Sequence, residues 1–331
     1  MRAGKVSAEL LQRLVYPHLG HRPDVLVHAH LGLDCAAIDF GEWTAVLTTD
    51  PITGAGRHLG RYAVHVACND LATTGAEPVA LLLTLLLQEG SAPDDVEVIM
   101  REAGAAAAGL KVEIVGGHTE VTPGIDHNIA VMTALGRARK GTLISAAGGR
   151  PGDAVLLTKT AGLEGTAILA IDLDEDLRTR LDGAVVERAR AFLDRISVVP
   201  EGMAAARAGA SAMHDVTEGG VLGGAWELAE ASGIGIELRA EAIPIAPETQ
   251  AICAVLRLDP LRLISSGAML IAAPDSAAVL GALADARIPA AVIGTMTAQS
   301  RLLRRGGQVE ALQPPERDEL WRALAARPAV S

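Results

Sequence analysis

The stretch DPITGAGRHLGRYAVHVACNDLATTGAEP, residues 50–78, carries the clearest signals of the fold of this chain. Apolar residues recur at helical spacing through its middle, which predicts a helix over residues 60–74. Gly75 follows at the position where a helix commonly ends. Asn69 and Asp70 lie side by side in the second half of this otherwise apolar helix. Polar side chains on so apolar a helix indicate a role beyond packing.

A second carboxylate, that of Asp50, precedes the predicted helix by ten residues. Residues 44–49 are rich in β-branched side chains and predict a strand that delivers Asp50. We expect Pro51 to stop this strand from continuing as a central strand of a sheet, because proline cannot donate a hydrogen bond to a neighbouring strand. Asp50 at a strand end and Asp70 on the following helix therefore predict a site for a cationic ligand.

Composition limits the classes of protein to which the chain can belong. Its 331 residues are enough for about two domains with hydrophobic cores. A formal net charge of −11 argues against nucleic acid or an anionic membrane as the main partner. The longest apolar run, Val79–Leu87, is far shorter than the roughly 20 residues of a membrane span and predicts a buried strand. Three scattered cysteines and the absence of a signal-peptide pattern predict a reducing, cytoplasmic location.

Strand and helix patterns alternate along both halves of the chain. The other predicted strands are residues 24–31, 79–87, 112–115, 128–136, 154–158, 212–214, 234–239, 268–273 and 289–294. The other predicted helices are residues 6–19, 93–108, 184–194, 199–208, 221–231, 247–256, 276–286 and 315–326. Glycines and a proline at residues 148–152 predict a boundary between domains of residues 1–150 and 151–331. The alternation predicts α/β or α+β layers in both domains.

A glycine pair follows the strand predicted at residues 112–115. In a turn, Gly116 and Gly117 would let backbone N–H groups approach an anion closely. Thr119 adds a hydroxyl donor, so a phosphate is the candidate ligand of this turn. A transition-metal site is an alternative that would use the histidines His28, His30, His65 and His118. The sequence does not show that these histidines converge.

Two loops of small residues precede helices in the second half. The first, residues 159–166, would offer free helix N-terminal N–H groups to an anion, with Lys159 beside them. The second holds Asp215, Gly219 and Gly220 between a strand and a helix. An ordinary turn and a solvated surface lysine are the structural alternatives to these roles.

An acidic set in the first half offers hard oxygen ligands. Asp34 lies among small residues that predict a turn, and it joins Asp50 and Asp70 in this set. Asn69 adds an amide oxygen. Mg²⁺ prefers one or two carboxylates together with water and nucleotide phosphates. We therefore predict a site for Mg²⁺ at Asp34, Asp50 and Asp70.

Several motifs together resemble a known superfamily. They are GLDCAAI, TTDPIT, AVHVACNDLATTGAEP, IVGGHTE and HDVTEGGV, in this order through nearly the whole chain. The set is similar to the ATP-binding, PurM-like superfamily of aminoimidazole ribonucleotide synthetase, and within it to the hydrogenase-maturation HypE branch. The resemblance implies an N-terminal α+β domain that pairs with a second subunit into a dimeric β-barrel, and a C-terminal α/β domain. ATP and Mg²⁺ would lie in a cleft near the interface.

The resemblance also implies a reaction and the residues that serve it. The residues that it places around ATP and Mg²⁺ are Asp34, Asp50, Asn69, Asp70, Gly116, Gly117, Thr119, Asp215, Gly219 and Gly220. We add Lys159 as a nucleotide-binding candidate and predict Asp50, Asp70 and His118 as catalytic residues. The expected activity is ATP-dependent phosphorylation of a carbonyl, amide or phosphate oxygen, which makes it a leaving group. The expected substrate is a small molecule or a protein-bound group, handled by a homodimer.

Two departures from the family pattern leave alternatives open. His118 stands where relatives carry an acidic residue, and a neutral imidazole is a poor ligand for Mg²⁺. The printed sequence ends at residues 327–331 without the terminal cysteine of HypE proper, so dehydration of a carbamoyl group on its own tail is not expected. The alternatives are a non-catalytic nucleotide sensor or maturation partner, which His118 favours, and a small-molecule kinase of the thiamine-monophosphate type.

Overall fold

Each half of the chain folds around a β-sheet of its own in the computed structural model, which describes residues 6, 8–30, 32–53, 57–314 and 317–325. The first-half elements are α1 (Ala8–Leu14), β1 (Val25–Val27), β2 (Ala36–Phe40), β3 (Trp43–Ile52), α2 (Leu59–Thr73), β4 (Glu77–Leu87), α3 (Pro93–Leu110), β5 (Glu113–Val121) and β6 (Ile129–Arg139). The second-half elements are β7 (Ala154–Thr158), α4 (Leu163–Asp172), α5 (Asp174–Arg180), α6 (Gly183–Arg190), α7 (Val199–Arg207), β8 (Ala212–Asp215), α8 (Gly220–Ala231), β9 (Gly235–Arg239), α9 (Pro247–Leu256), β10 (Met269–Ala273), α10 (Ser276–Asp285), β11 (Ala290–Thr297), β12 (Arg301–Arg305), β13 (Gln308–Ala311) and α11 (Glu319–Ala325). The outer ends of the predicted last helix, and the tail at residues 327–331, lie outside the described residues.

The first sheet has the strand order β1-β2-β3-β6-β4-β5. Its strands pair antiparallel except β4 and β5, which are parallel. Helices α2 and α3 pack with the sheet in one core that includes Val64, Leu71 and Leu81. The strand predicted over Val79–Leu87 is buried on one face only, since Leu82 is 47% exposed. The helix predicted at residues 60–74 is confirmed as α2.

The strand that carries Asp50 is longer than predicted. β3 continues through Asp50 and Pro51 to Ile52, but among the described residues it is not a central strand there, as predicted. The neighbouring strand β2 was not predicted and replaces the second half of the expected turn. It pairs with β3 only as far as Leu47, whereas β6 pairs with β3 to its end. β3 therefore has one open edge where Pro51 lies, and proline is tolerated at such an edge.

The glycine pair does not form a turn. Residues 116–119 lie inside β5, the edge strand of the sheet, so the predicted turn was wrong. Gly117 has a φ of 151°, and a Cβ there would lie 1.8 Å from the carbonyl oxygen of Leu83. The pairing of β4 with β5 shifts register just before this residue. Gly117 is therefore required because β5 approaches β4 too closely for a side chain.

The second sheet has the strand order β13-β12-β9-β11-β7-β10-β8. All pairs are antiparallel except β12 with β9, so this half is α+β where the resemblance implied α/β. Leu157 of β7 packs in the core that contains α8, whereas Leu156 packs in the core that contains α7 and α10. Burial on both faces explains why β7 and β10 read as continuous apolar runs. Among the described helices, none is long and apolar enough to cross a membrane.

Helix α2 belongs to the first half of the molecule and packs against the second half. The Asn69 side chain donates from Nδ2 to the backbone oxygen of Ile196, and its Oδ1 accepts from the backbone N–H of Val198, both at 2.8 Å. A Cβ on Gly202 of α7 would lie 2.1 Å from the backbone oxygen of Ala72. The C-terminal part of α2 is thus held tightly against the second half, which fixes the position of Asp70 relative to it.

Candidate active site

A cavity of about 700 Å³ lies between the two halves, and both halves line it. The first half contributes β3, α2 and the loop before β2, while the second contributes α4, the loop after β8 and α11. The acidic residues among those that line it are Asp34, Asp50, Asp70, Glu164, Asp172, Asp215 and Glu218. This acidic character fits a cationic or cation-carrying ligand.

Four aspartates from four separate elements meet at this cavity. Asp34 precedes β2, Asp50 is on β3, Asp70 is on α2 and Asp215 ends β8. The Thr48 hydroxyl donates to Asp70 Oδ2 at 2.7 Å and lies 3.4 Å from Asp50 Oδ2. This hydroxyl thereby ties the carboxylate on α2 to the one on β3.

The pKa of Asp70 is raised by its surroundings. Burial is the largest cause that raises the pKa of Asp70 well above its ordinary value, and the negative charges of Asp215, Asp34 and Asp50 raise it further. Burial followed by the same four carboxylates also raises the pKa of the nearby Cys35 thiol. Cys35 therefore stays a neutral thiol, which makes it a poor nucleophile.

The donor set fits a divalent cation. Ligand atoms of Asp34, His214 and Asp215 lie within 4.8 Å of one another. His214 Nδ1 donates to the backbone oxygen of Asp215 at 2.5 Å, and its Nε2 lies 3.5 Å from Glu227, so the carboxylates are the better ligands. Burial lowers the pKa of His214, but Asp34, Glu227 and Asp215 outweigh it and raise that pKa. Carboxylate oxygens are the ligands that Mg²⁺ prefers, and the cation would offset the repulsion that Asp70 experiences.

Lys159 does not line the cavity. Its Nζ lies 2.5 Å from Glu201 Oε1. It also donates to three backbone oxygens, those of Arg195, Ser197 and Gly267. Burial lowers the pKa of Lys159, and the charge of Glu201 opposes this change. The ammonium predicted to meet a phosphate is thus occupied by oxygens of the fold.

Two of the N–H groups predicted to bind an anion at the start of α4 also have partners within the fold. We expected free N–H groups there, but Gly162 donates to Ser265 Oγ and Gly165 donates to the backbone oxygen of Ile264. Similarly, the N–H of Gly219 donates to Asp318 Oδ2 at 2.7 Å. That of Gly220 donates to the backbone oxygen of Thr217. Of the loop that follows β8, Thr217 and Glu218 line the cavity instead of the glycines.

Several of the predicted site residues face away from the cavity or lie outside its lining. None of Asn69, Gly116, Gly117, His118 and Thr119 is among the described residues that line the cavity. His118 is exposed on β5, and its Nε2 lies 3.0 Å from Glu120 Oε2. Of the site residues predicted from the sequence, the structure brings four together at the cavity, namely Asp34, Asp50, Asp70 and Asp215.

Several residues of the cavity were not predicted from the sequence. Thr48, Tyr62 and Glu164 all line it, and each is buried. Tyr62 is one of two tyrosines in a chain with 2% aromatic residues, and this rarity was a usable signal. Thr48 and Glu164 carried no comparable signal, because their role depends on neighbours distant in sequence.

Two family models match the two halves. Residues 32–138 match the N-terminal domain of AIR synthase related protein, and residues 150–304 match its C-terminal domain. A putative hydrogenase expression/formation protein of Methanocaldococcus jannaschii is 33% identical over 278 residues, which cover 81% of this chain and 80% of that protein. The chain belongs to the AIR synthase related protein family. Another relative in this comparison is carbamoyl dehydratase HypE of Cupriavidus necator, 34% identical over 249 residues, 72% of this chain and 68% of that protein.

Solved structures share the AIR synthase related fold across both halves. HypE of E. coli is 28% identical with a TM-score of 0.72, over 84% of this chain and 88% of that one. A hydrogenase maturation protein HypE in complex with ATP is 24% identical with a TM-score of 0.68, over 96% of this chain and 97% of that one. The fold that places the four aspartates is therefore the fold of this family.

Proposed function

We propose that this protein is an ATP- and Mg²⁺-dependent enzyme that phosphorylates a carbonyl, amide or phosphate oxygen of its substrate. The observation that carries the proposal is the meeting of Asp34, Asp50, Asp70 and Asp215, from both halves, at one cavity. A protein catalyses phosphoryl transfer mainly by positioning the reactants and by electrostatic stabilisation. The four aspartates would provide both by holding Mg²⁺. Support comes from a relative named carbamoyl dehydratase and from a HypE structure that holds ATP.

The residues of this chain have separate tasks in the proposal. Asp34, Asp50 and Asp70 hold Mg²⁺, which supplies charge neutralisation to the phosphates when bound. Asp215 joins them from the second half, and the Thr48 hydroxyl orients the Asp70 carboxylate. The division into domains of residues 1–150 and 151–331 and a cytoplasmic location belong to the same proposal. The segment 140–153, which separates the strands of the first sheet from those of the second, supports this division into domains. Three free cysteines support the cytoplasmic location.

We also propose that the protein acts as a homodimer, paired through the first sheet into a shared β-barrel. β5 is an edge strand whose residues are almost all exposed, and such an edge is open to pairing with another chain. In that assembly residues 116–119 would lie near the subunit interface. The nucleotide-binding role of Gly116, Gly117 and Thr119 and the catalytic role of His118 stay predictions. Light scattering on the purified protein is expected to give about twice the monomer mass of 34.1 kDa. A monomer at micromolar concentration would contradict this.

Calorimetric titration with ATP tests the proposed cofactors. We expect binding in the presence of Mg²⁺ and a large loss of affinity in EDTA, because unscreened phosphates would be repelled by the acidic cavity. Asp126→Asn is a matched control, since the Asp126 side chain is 94% exposed and does not line the cavity. It should bind like the unaltered protein. Equal affinity with and without Mg²⁺ would count against the proposal.

Product formation separates the enzyme from its alternatives. ADP is to be measured against a panel of amides, phosphates including thiamine monophosphate, and amino-sugar nucleotides. An enzyme of the proposed kind should form ADP with one class of acceptor, free or bound to a protein. Binding of ATP without ADP above background would favour a nucleotide sensor, and phosphorylation of thiamine monophosphate would favour the kinase.

A further inference from the structure

Two buried polar side chains that line the cavity each have one polar atom without a hydrogen-bond partner among the described residues. Tyr62 of α2 and Glu164 in the first turn of α4 are 5% and 6% exposed. Tyr62 Oη and Glu164 Oε2 have no hydrogen-bond partner among the described residues. Burying a polar atom without a partner is unfavourable, so such atoms in native proteins call for an explanation. A ligand that enters the cavity and bonds to both would supply it.

The pair is separate from the aspartates. Tyr62 precedes Asp70 by eight residues on α2, which corresponds to about 12 Å along a helix axis. Around Tyr62 the packing is apolar and includes Leu163 and Ala167 of α4. The side chains of Ile168 and Ile171 line the same part of the cavity as Glu164, one helical turn apart on α4. The cavity therefore has an acidic region for a cation and a second region in which apolar side chains surround the Tyr62 hydroxyl and the Glu164 carboxyl group, with Asp172 close enough for its charge to act on Tyr62.

We propose that Tyr62 and Glu164 form the subsite for the acceptor, the molecule whose oxygen is phosphorylated, and that Glu164 takes up the proton that the acceptor loses. The inference rests on the proposed phosphoryl transfer. As the acceptor oxygen bonds to the γ-phosphorus, the bond from that phosphorus to the bridging oxygen breaks and ADP leaves with its electron pair. The proton from an acceptor hydroxyl or amide N–H passes to Glu164 Oε2.

The electrostatics of the pair favour a neutral acceptor group over a carboxylate, and the positive charge of Arg61 opposes this preference in part. Burial, and then the charges of Glu164 and Asp172, raise the pKa of Tyr62, so its phenol stays protonated and donates a hydrogen bond. Burial raises the pKa of Glu164 to about 7, against hydrogen bonds from Ser266 that lower it, and the charge of Asp318 adds to the rise. A carboxyl group with such a pKa can take up and release a proton near neutral pH. A carboxylate ligand would be repelled by Glu164 and Asp172, whereas an amide or a hydroxyl group would not.

Fluorine NMR on the full chain, with small fluorinated probes, tests the subsite. The probes are 2,2,2-trifluoroacetamide, 2,2,2-trifluoroethanol and trifluoroacetate, which offer an amide, a hydroxyl and a carboxylate on one trifluoromethyl group. We expect the amide or the alcohol to bind and trifluoroacetate not to bind. Tyr62→Phe and Glu164→Gln should each weaken that binding by about tenfold, the effect of losing a hydrogen bond. Tyr16→Phe and Glu248→Gln are the matched controls, because neither residue lines the cavity.

Titration of the same variants with ATP and Mg²⁺ separates this inference from the proposed function. We expect Tyr62→Phe and Glu164→Gln, checked for folding by circular dichroism, to bind ATP within about twofold of the unaltered protein. Retained ATP binding with unchanged probe binding overturns the subsite alone. Loss of ATP binding in both folded variants also overturns it, since the pair would then belong to the nucleotide site. Failure of the unaltered protein to bind ATP would instead overturn the proposed function.

Discussion

Asp70→Asn is expected to abolish Mg²⁺-dependent ATP binding and, at the same time, to raise the melting temperature of the metal-free protein at pH 7.5. Asp70 is buried, and burial together with the charges of Asp215, Asp34 and Asp50 raises its pKa. Asparagine has nearly the same shape and can still accept the hydrogen bond from Thr48 Oγ1. Removal of the repelled charge should add about 1–2 kcal/mol to the free energy of unfolding, or roughly 2–6 °C.

The gain in stability expected of Asp70→Asn should increase with pH. A carboxyl group whose pKa is raised in the folded protein adds stability below its unfolded pKa, about 3.9 for aspartate. That stability is lost as the pH rises towards the folded pKa. The difference in melting temperature between Asp70→Asn and the unaltered protein should therefore be small at pH 4.5 and largest at pH 7.5. Scanning calorimetry in EDTA at these two pH values measures it.

Addition of Mg²⁺ provides the second half of this test. Mg²⁺ should raise the melting temperature of the unaltered protein and of the control Asp126→Asn, because the cation binds only the folded state. It should leave Asp70→Asn nearly unchanged. A lower melting temperature of Asp70→Asn in EDTA would show that the carboxylate stabilises the fold, which would contradict the repulsion inferred from its neighbours.

Asn69→Ala is expected to lower the free energy of unfolding by about 2–4 kcal/mol. The Asn69 side chain is 1% exposed and bonds to both Ile196 and Val198. Truncation would leave one backbone carbonyl and one backbone N–H buried without partners, at about 1–3 kcal/mol each. Urea unfolding of the purified variant measures the loss.

Asn128→Ala is the comparison for this prediction. Asn128 Oδ1 accepts from the backbone N–H of Gln88 and from Ser91 Oγ at a partly buried loop. Water can replace the lost acceptor there, so a cost of about 1 kcal/mol is expected. The folded fraction of Asn69→Ala should keep its affinity for ATP with Mg²⁺. Normal stability with lost ATP binding would instead support the role as a ligand that the sequence suggested.

Features that depend on neighbours along the chain could be predicted from the amino-acid sequence. The helix over residues 60–74 and the strand over residues 154–158 were predicted nearly to the residue, since apolar periodicity and bounding glycines are local signals. The carboxylates Asp34, Asp50 and Asp70 were recognisable because acidic groups are rare beside apolar strands and helices. Their meeting with Asp215 at one cavity followed from the family resemblance, not from spacing.

The hydrogen-bond partners of the polar residues, in contrast, depend on tertiary contacts. The side chains of Asn69 and Lys159 looked like ligands of a nucleotide, but contacts with residues more than 30 positions away occupy them. Residues 116–119 were expected to form a turn, yet pairing with β4 draws them into a strand. Glu164 gains its raised pKa from burial in the assembled fold. Hydrogen bonding and desolvation depend on which atoms are close in space, and a linear pattern carries no record of those atoms.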